Sequence, residues 1–214
     1  MALTKGSQTT LDEWVKTANA VIRLGTELDV STAYSCKLDI KVALGETAVA
    51  STGQPEVIIQ TTGEASPTTE DWINYARVIG PTGTAVGAAL TATEPVGETQ
   101  IACSNPTTAT IHNKGKFKFI KNTTDANSEI IYHKADGLDT DDFITLLTGL
   151  ANEQTAAAST ILDINSVTQE VVMQWSFDIN CTNVSRIRTI YNANYDADGP
   201  DVYCYSAYTL NTGL

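Results

Sequence analysis

An antiparallel β-sandwich, jelly-roll-like, with an N-terminal helix and a small inserted β subdomain is the fold class predicted for this 214-residue chain. Three observations predict it. Several stretches alternate apolar and polar residues with a period of two. Thr, Ser, Asn and Gly are abundant, whereas long helix-forming runs of Ala, Glu, Lys and Leu are scarce. Apolar residues make up 42% and charged residues 18%, which is enough to bury a core.

The N-terminal arm and helix occupy residues 1–26. Thr10 and Glu13 form a capping box, and Asp12 and Glu13 stand where a helix dipole favours negative charge. Leu11, Trp14, Val15, Ala18, Val21 and Ile22 then recur at helical spacing, which predicts a helix from Thr10 to Leu24 ending near Gly25. Beyond it the period changes to two. In AYSCKLDIKVA, Tyr34, Cys36, Leu38, Ile40 and Val42 alternate with polar residues and define a strand with one wet face. PEVIIQTT and DWINYARVI follow as shorter strands around the loop GEASPTTE. Near the C-terminus, EVVMQWSFDIN aligns Val171, Met173, Trp175, Phe177 and Ile179 on one face. VSRIRTIYN and DVYCYSAYTL complete the set, the latter with Val202, Cys204, Ser206, Tyr208 and Leu210 together. Strands this short require two sheets packed face to face, assigned to residues 27–79 and 150–214.

Residues 80–149 read as an insert. It opens with the loose run GPTGTAVGAALTATEPVGE and continues with TQIACS, KGKFKFIKN, SEIIYHKAD and DDFITLLTGL as short strands. NTTDANSE has the composition of a turn and links two of them as a hairpin. An insertion of this length in a surface loop is inexpensive.

Charge and cysteine usage narrow the function. A net charge of −12 with only 13 basic residues argues against a nucleic-acid partner. The tightest basic group, Lys114, Lys116, Lys118 and Lys121, reads as the wet face of a strand. The N-terminus has no apolar run after its first lysine, and nothing approaches the roughly 18 apolar residues of a membrane span. The expectation is a protein that stays soluble in the cytosol where it is made. Cys36, Cys103, Cys181 and Cys204 show no metal-ligand rhythm and are expected to be reduced and mostly buried.

No catalytic constellation emerges. His112 and His133, the two histidines, both fall in the insert, and there is no nucleophile elbow, P-loop, GxGxxG after a strand or HExxH. Asp136, Asp139, Asp141 and Asp142 concentrate carboxylates that could suit calcium or an acid/base pair, but without aromatics clustered around them a solvated turn is the favoured reading. In NANYDADGPD, Asn194, Asp196, Asp198 and Gly199 imitate the opening of an EF-hand loop. The bidentate glutamate that loop needs is replaced by Tyr205, and its flanks are strands rather than helices, so a hairpin tip is expected there. Neither cofactor nor metal is expected, and the chain reads as non-enzymatic.

Binding surface is the remaining signal. Tyr191, Tyr195, Tyr203, Tyr205 and Tyr208 crowd the C-terminal strands. Tyr203 and Tyr205 face away from Val202 and Cys204, and with Trp14 of the expected helix they form a candidate interaction surface. They suit a protein interface or stacking on sugar, or they are covered by another part of the chain.

The chain also carries a resemblance. TELDVSTAYSCKLDIKVAL, then PEVIIQTT and DWINYARV, then GETQIAC and NSEIIYHK, then VSRIRTIYNANYDADGPDVYCYSAYTL resembles, in pattern and order, virion structural proteins of tailed bacteriophages. The resemblance runs from about Glu27 to the C-terminus. It implies a capsid decoration, or cement, protein that binds the outer head surface and clamps neighbouring capsomers. Its implied partners are the major capsid protein and copies of itself, and its implied place is the capsid surface after synthesis in the host cytoplasm. A neck, tail or fibre-base role, or a carbohydrate-binding module for host attachment, is the alternative; a small hydrolase using the acidic loop is a further one.

Overall fold

A computed structural model describes residues 3–17, 21–45, 54–81, 85–104, 117–138, 143–164, 171–193 and 201–213. Sixteen strands and two short 3-10 turns account for nearly all of their regular structure. The first half contains β1 (Leu3–Lys5), β2 (Thr9–Thr17), β3 (Ile22–Leu24), β4 (Leu28–Asp29), β5 (Ser35–Leu44), β6 (Glu56–Thr62), β7 (Ile73–Ile79) and β8 (Ala85–Ala89). The second half contains β9 (Gln100–Ala102), β10 (Phe117–Asn122), β11 (Glu129–Leu138), β12 (Phe143–Leu146), β13 (Ser159–Ile164), β14 (Val172–Asn180), β15 (Arg186–Asn192) and β16 (Val202–Gly213). Every ladder among the described residues is antiparallel.

Two sheets form the sandwich. One runs β1-β16-β5-β14 with β2 also on β16, and the other runs β3-β15-β6-β7 with β4 also on β15. Leu38, Ile40 and Val42 of β5 meet Val57 and Ile59 of β6 and Ile187 and Tyr191 of β15 in one buried core. The alternation read in β5 therefore points Cys36, Leu38, Ile40 and Val42 inward, all fully buried. On β14, at the sheet edge, the same alternation gives only half-burial to Trp175 and Phe177 and leaves Met173 exposed. Cys36 and Cys204 share the inner face, yet Cys204 pairs with Val42, six positions along β5 from Cys36. That places them roughly 20 Å apart, too far to bond.

The expected helix from Thr10 to Leu24 does not form; its first part is β2 and its last part β3. The reason lies in two register slips between β2 and β16. Asp12 pairs with Ser206 and Val15 with Cys204, so Glu13 and Trp14 stand opposite Tyr205 alone. A second slip leaves Leu11 extra between Thr10 and Asp12. Each extra residue reverses the parity of the strand, so apolar side chains fall three and four apart, as on a helix. Trp14 takes φ +33°, the left-handed conformation that a bulge demands and a bulky residue rarely adopts. Asp12, read as a helix-dipole acid, is instead buried inside the sandwich.

The third sheet runs β8-β13-β10-β11-β12-β9 and curls until Leu90, just beyond β8, bridges Cys103, just beyond β9. The curl encloses its own core of Ile101, Ile120, Ile131, Ile144, Leu146 and Ile161. β10 and β11 form the expected hairpin around Asp125–Asn127. β13 belongs to this sheet, so residues 159–164, assigned to the sandwich on pattern, pair with the insert instead. The Gly/Ala/Thr run read as loose supplies β8. Lys118, read as part of a wet face, points into the curl and is fully buried.

NANYDADGPD does not tip a hairpin, because the strands it joins lie in different sheets: β15 is flanked by β3 and β6, β16 by β5, β1 and β2. Residues 194–200 themselves, with Tyr195, lie outside the described residues, as do His112, Asp139, Asp141, Asp142, Lys114 and Lys116. Asp136 falls within β11.

Candidate interaction surface

The three aromatic residues singled out in the sequence do come together, but inside the molecule. Tyr203 and Tyr205 pair with Ala43 and Lys41 of β5 and project from the outer face of their sheet, as the alternation requires. That face is covered by β10 of the third sheet. Phe119 inserts its ring 4.8 Å from Trp14 and 5.4 Å from Tyr203, centroid to centroid, and Trp14 lies 5.6 Å from Tyr205. Tilted rings at these separations are the favoured geometry for aromatic pairs. Trp14 and Tyr203 are buried and Tyr205 is half-buried. Gly45 is needed beside them, since a Cβ there would sit 2.2 Å from the Tyr203 ring.

Two cations complete this joint. Lys41 Nζ lies 4.6 Å over the Tyr205 ring and Lys121 Nζ lies 5.9 Å from the Tyr203 ring. Burial pulls the Lys41 amine below its ordinary value, with the charge of Asp39 opposing that shift. Thr10 Oγ1 and the Tyr205 hydroxyl share a 3.2 Å hydrogen bond, and Lys16 pairs with Asp201 at the neighbouring rim. The assembly binds one layer to the next, with Tyr205 alone of the three aromatic residues partly exposed.

A second polar group lies within the sandwich. Asp12 Oδ1 accepts from the Thr26 hydroxyl at 2.8 Å and Oδ2 from the Tyr191 hydroxyl at 2.9 Å. Ser206 Oγ donates to the same Oδ2 at 3.1 Å. Burial raises the Tyr191 phenol well above its ordinary value, and the Asp12 charge adds to it. Asp12, Tyr191 and Ser206 are buried and Thr26 is exposed, and their bonds tie β2 to β15 and β16. Among the described residues, no group of three or more His, Cys, Asp or Glu could hold a metal ion. His133 is fully buried in the third sheet, its Nδ1 2.9 Å from the Lys134 carbonyl.

The surface open to a partner is elsewhere, on the outer face of the β3-β15-β6-β7 sheet. Cross-strand register lines up Leu24, Ile190, Ile58 and Arg77 in one row, and Ile22, Asn192, Glu56 and Ile79 in the next. Ile22 is 66% exposed, Leu24 57% and Ile79 44%. Glu56 pairs with Arg77 and accepts from Asn192 Nδ2 at 2.8 Å, so the polar members of these rows are tied to one another. Beyond them, Arg188 donates to Gln60, Gln60 to Asn74, and the Arg188 guanidinium stacks 4.0 Å over Trp72. The result is an apolar patch bounded by a fixed polar row, the anatomy of an interface core and its rim. Sequence reading missed it because Ile22 and Leu24 were absorbed into the expected helix.

No protein-family model matches the chain, and no curated protein matches it. Among solved structures, one of infectious bursal disease virus, Gx strain, aligns over 99% of this chain and 81% of its own, at 9% identity and TM-score 0.25. A crystal structure of the VP2 subviral particle of infectious bursal disease virus aligns over 99% and 82%, at 9% identity and TM-score 0.26. A likeness at this TM-score does not define a shared fold.

Proposed function

We propose that the chain is a non-enzymatic virion structural protein, and within that class a capsid decoration protein that binds the outer head surface and stabilises it. The observation that carries this reading is the apolar patch of exposed Ile22, Leu24 and Ile79 with half-buried Ile58 and Ile190 between them on an otherwise hydrogen-bonded sheet face. Exposed isoleucine and leucine gathered on a rigid sheet offer a partner a preformed contact surface. The partners are the major capsid protein and further copies of this chain. Many such contacts on one particle add through multivalency, so each need not be strong. The resemblance of the sequence to tailed-phage virion proteins points the same way.

Co-sedimentation with heads that lack the protein tests the reading. Wild-type protein is expected to bind saturably, and Leu24→Asp with Ile79→Asp to lose binding while unfolding at nearly the same urea concentration, because exposed positions change stability by about 0.5 kcal/mol or less. Binding to tails but not heads would move the protein to the neck or tail. Binding to neither, with affinity for host-surface sugar, would replace the proposal with an attachment module.

A further inference from the structure

Among the buried polar side chains of the curled third sheet is an ion pair. Lys118 on β10 and Asp163 on β13 are both 0% exposed, with Nζ 2.8 Å from Oδ2. The pairs Phe119↔Leu162 and Ile120↔Ile161 place the two residues opposite each other at the next step of the same ladder. Ile120, Ile131 and Ile161 surround them on that face, and His133, fully buried and one step beyond Ile131, closes the diagonal. An ammonium and a carboxylate enclosed in this way lose their hydration, and the loss is recovered only in part by their mutual attraction. Moving one proton from Nζ to the carboxylate removes both charges and leaves a neutral amine beside a carboxylic acid.

That pair of neutral groups is the nucleophile and the electrophile of amide formation. We propose that Lys118 and Asp163 join in an intramolecular isopeptide bond. The lone pair on Nζ attacks Cγ of Asp163, forming the C–N bond. The carboxyl C–OH bond breaks, and its hydroxyl leaves with a proton from the nitrogen as one molecule of water. Atoms and charge balance, and neither oxidant nor co-reactant is needed. The fold supplies what the reaction lacks in water: contact between the reacting groups and enclosure away from bulk solvent. The product ties β10 to β13 across the wall of the curl and replaces a buried ion pair with a neutral amide. This proposal is independent of the capsid assignment.

Intact mass of the purified, denatured full chain tests it. The expected mass is that of the sequence less one water. A tryptic digest is expected to lose cleavage after Lys118 and to yield a branched peptide joining the segments that carry Lys118 and Asp163. Lys118→Arg should restore the full mass, and Asp163→Asn should react with loss of ammonia in place of water. Wild-type chain at its full sequence mass, with the two tryptic segments separate, would overturn the proposal whether or not either variant folds.

Discussion

Trp14 joins two layers of the molecule through a strained backbone position, and its removal should be felt throughout. Truncation to alanine takes away the ring packed on Phe119 and Tyr205. Trp14→Ala is therefore expected to cost about 3–5 kcal/mol in urea unfolding. A cost near that of a surface substitution would contradict the joint. The cysteines make a second residue-scale test. All four are buried, and burial pushes the Cys36 thiol up to about 12 and Cys204 higher still. The thiolate is the reactive form, so no described cysteine should label with a thiol reagent in the native protein, and all four should label in denaturant. Tyr191 completes the set. Its folded pKa lies above the unfolded value, so its contribution to stability is whole below about pH 10 and is lost as pH rises further. Absorbance titration should therefore show Tyr191 ionising only as the fold is lost. Individual side-chain fates were only partly legible. The outward direction of Tyr203 and Tyr205 follows from alternation alone, but their cover, Phe119, comes from a strand more than eighty positions away, and no local pattern encodes such a contact.

At the scale of elements, period two was a reliable guide wherever strands run without interruption, as β5, β6 and β15 do. It failed in β2, where two bulges convert a strand into an imitation of helical spacing. Tertiary pairing with β16 overrode the local capping signal, which a lone helix of that length is too weak to enforce. The insert boundary slipped for a related reason: STILDI has strand character, but pairing partners decide which sheet it enters. Hydrogen exchange discriminates these roles. β5, bonded along its length to both β16 and β14, should hold the slowest amides, and the three-residue edge strand β1 should exchange first. Protection confined to residues 10–24 with helical i to i−4 partners would contradict the strand assignment.

The whole molecule is two sandwich sheets with a curled third sheet seated on the outer face of one of them. That arrangement conceals the tyrosines that the sequence offered as a surface and leaves the far sheet, with Ile22, Leu24 and Ile79, facing outward. Architecture was legible from composition and alternation; the surface was not, because exposure depends on which face the insert covers. The net charge of −12 is a repulsive background between copies, so the proposed assembly draws on the apolar patch rather than on net charge attraction. Cryo-microscopy of the parent particle tests the central claim most directly. The account predicts density for this chain on the outside of the head, with the β3-β15-β6-β7 sheet turned toward a capsomer or a neighbouring copy. A head surface without that density, or a chain bound there with Leu24 and Ile79 facing solvent, would contradict it.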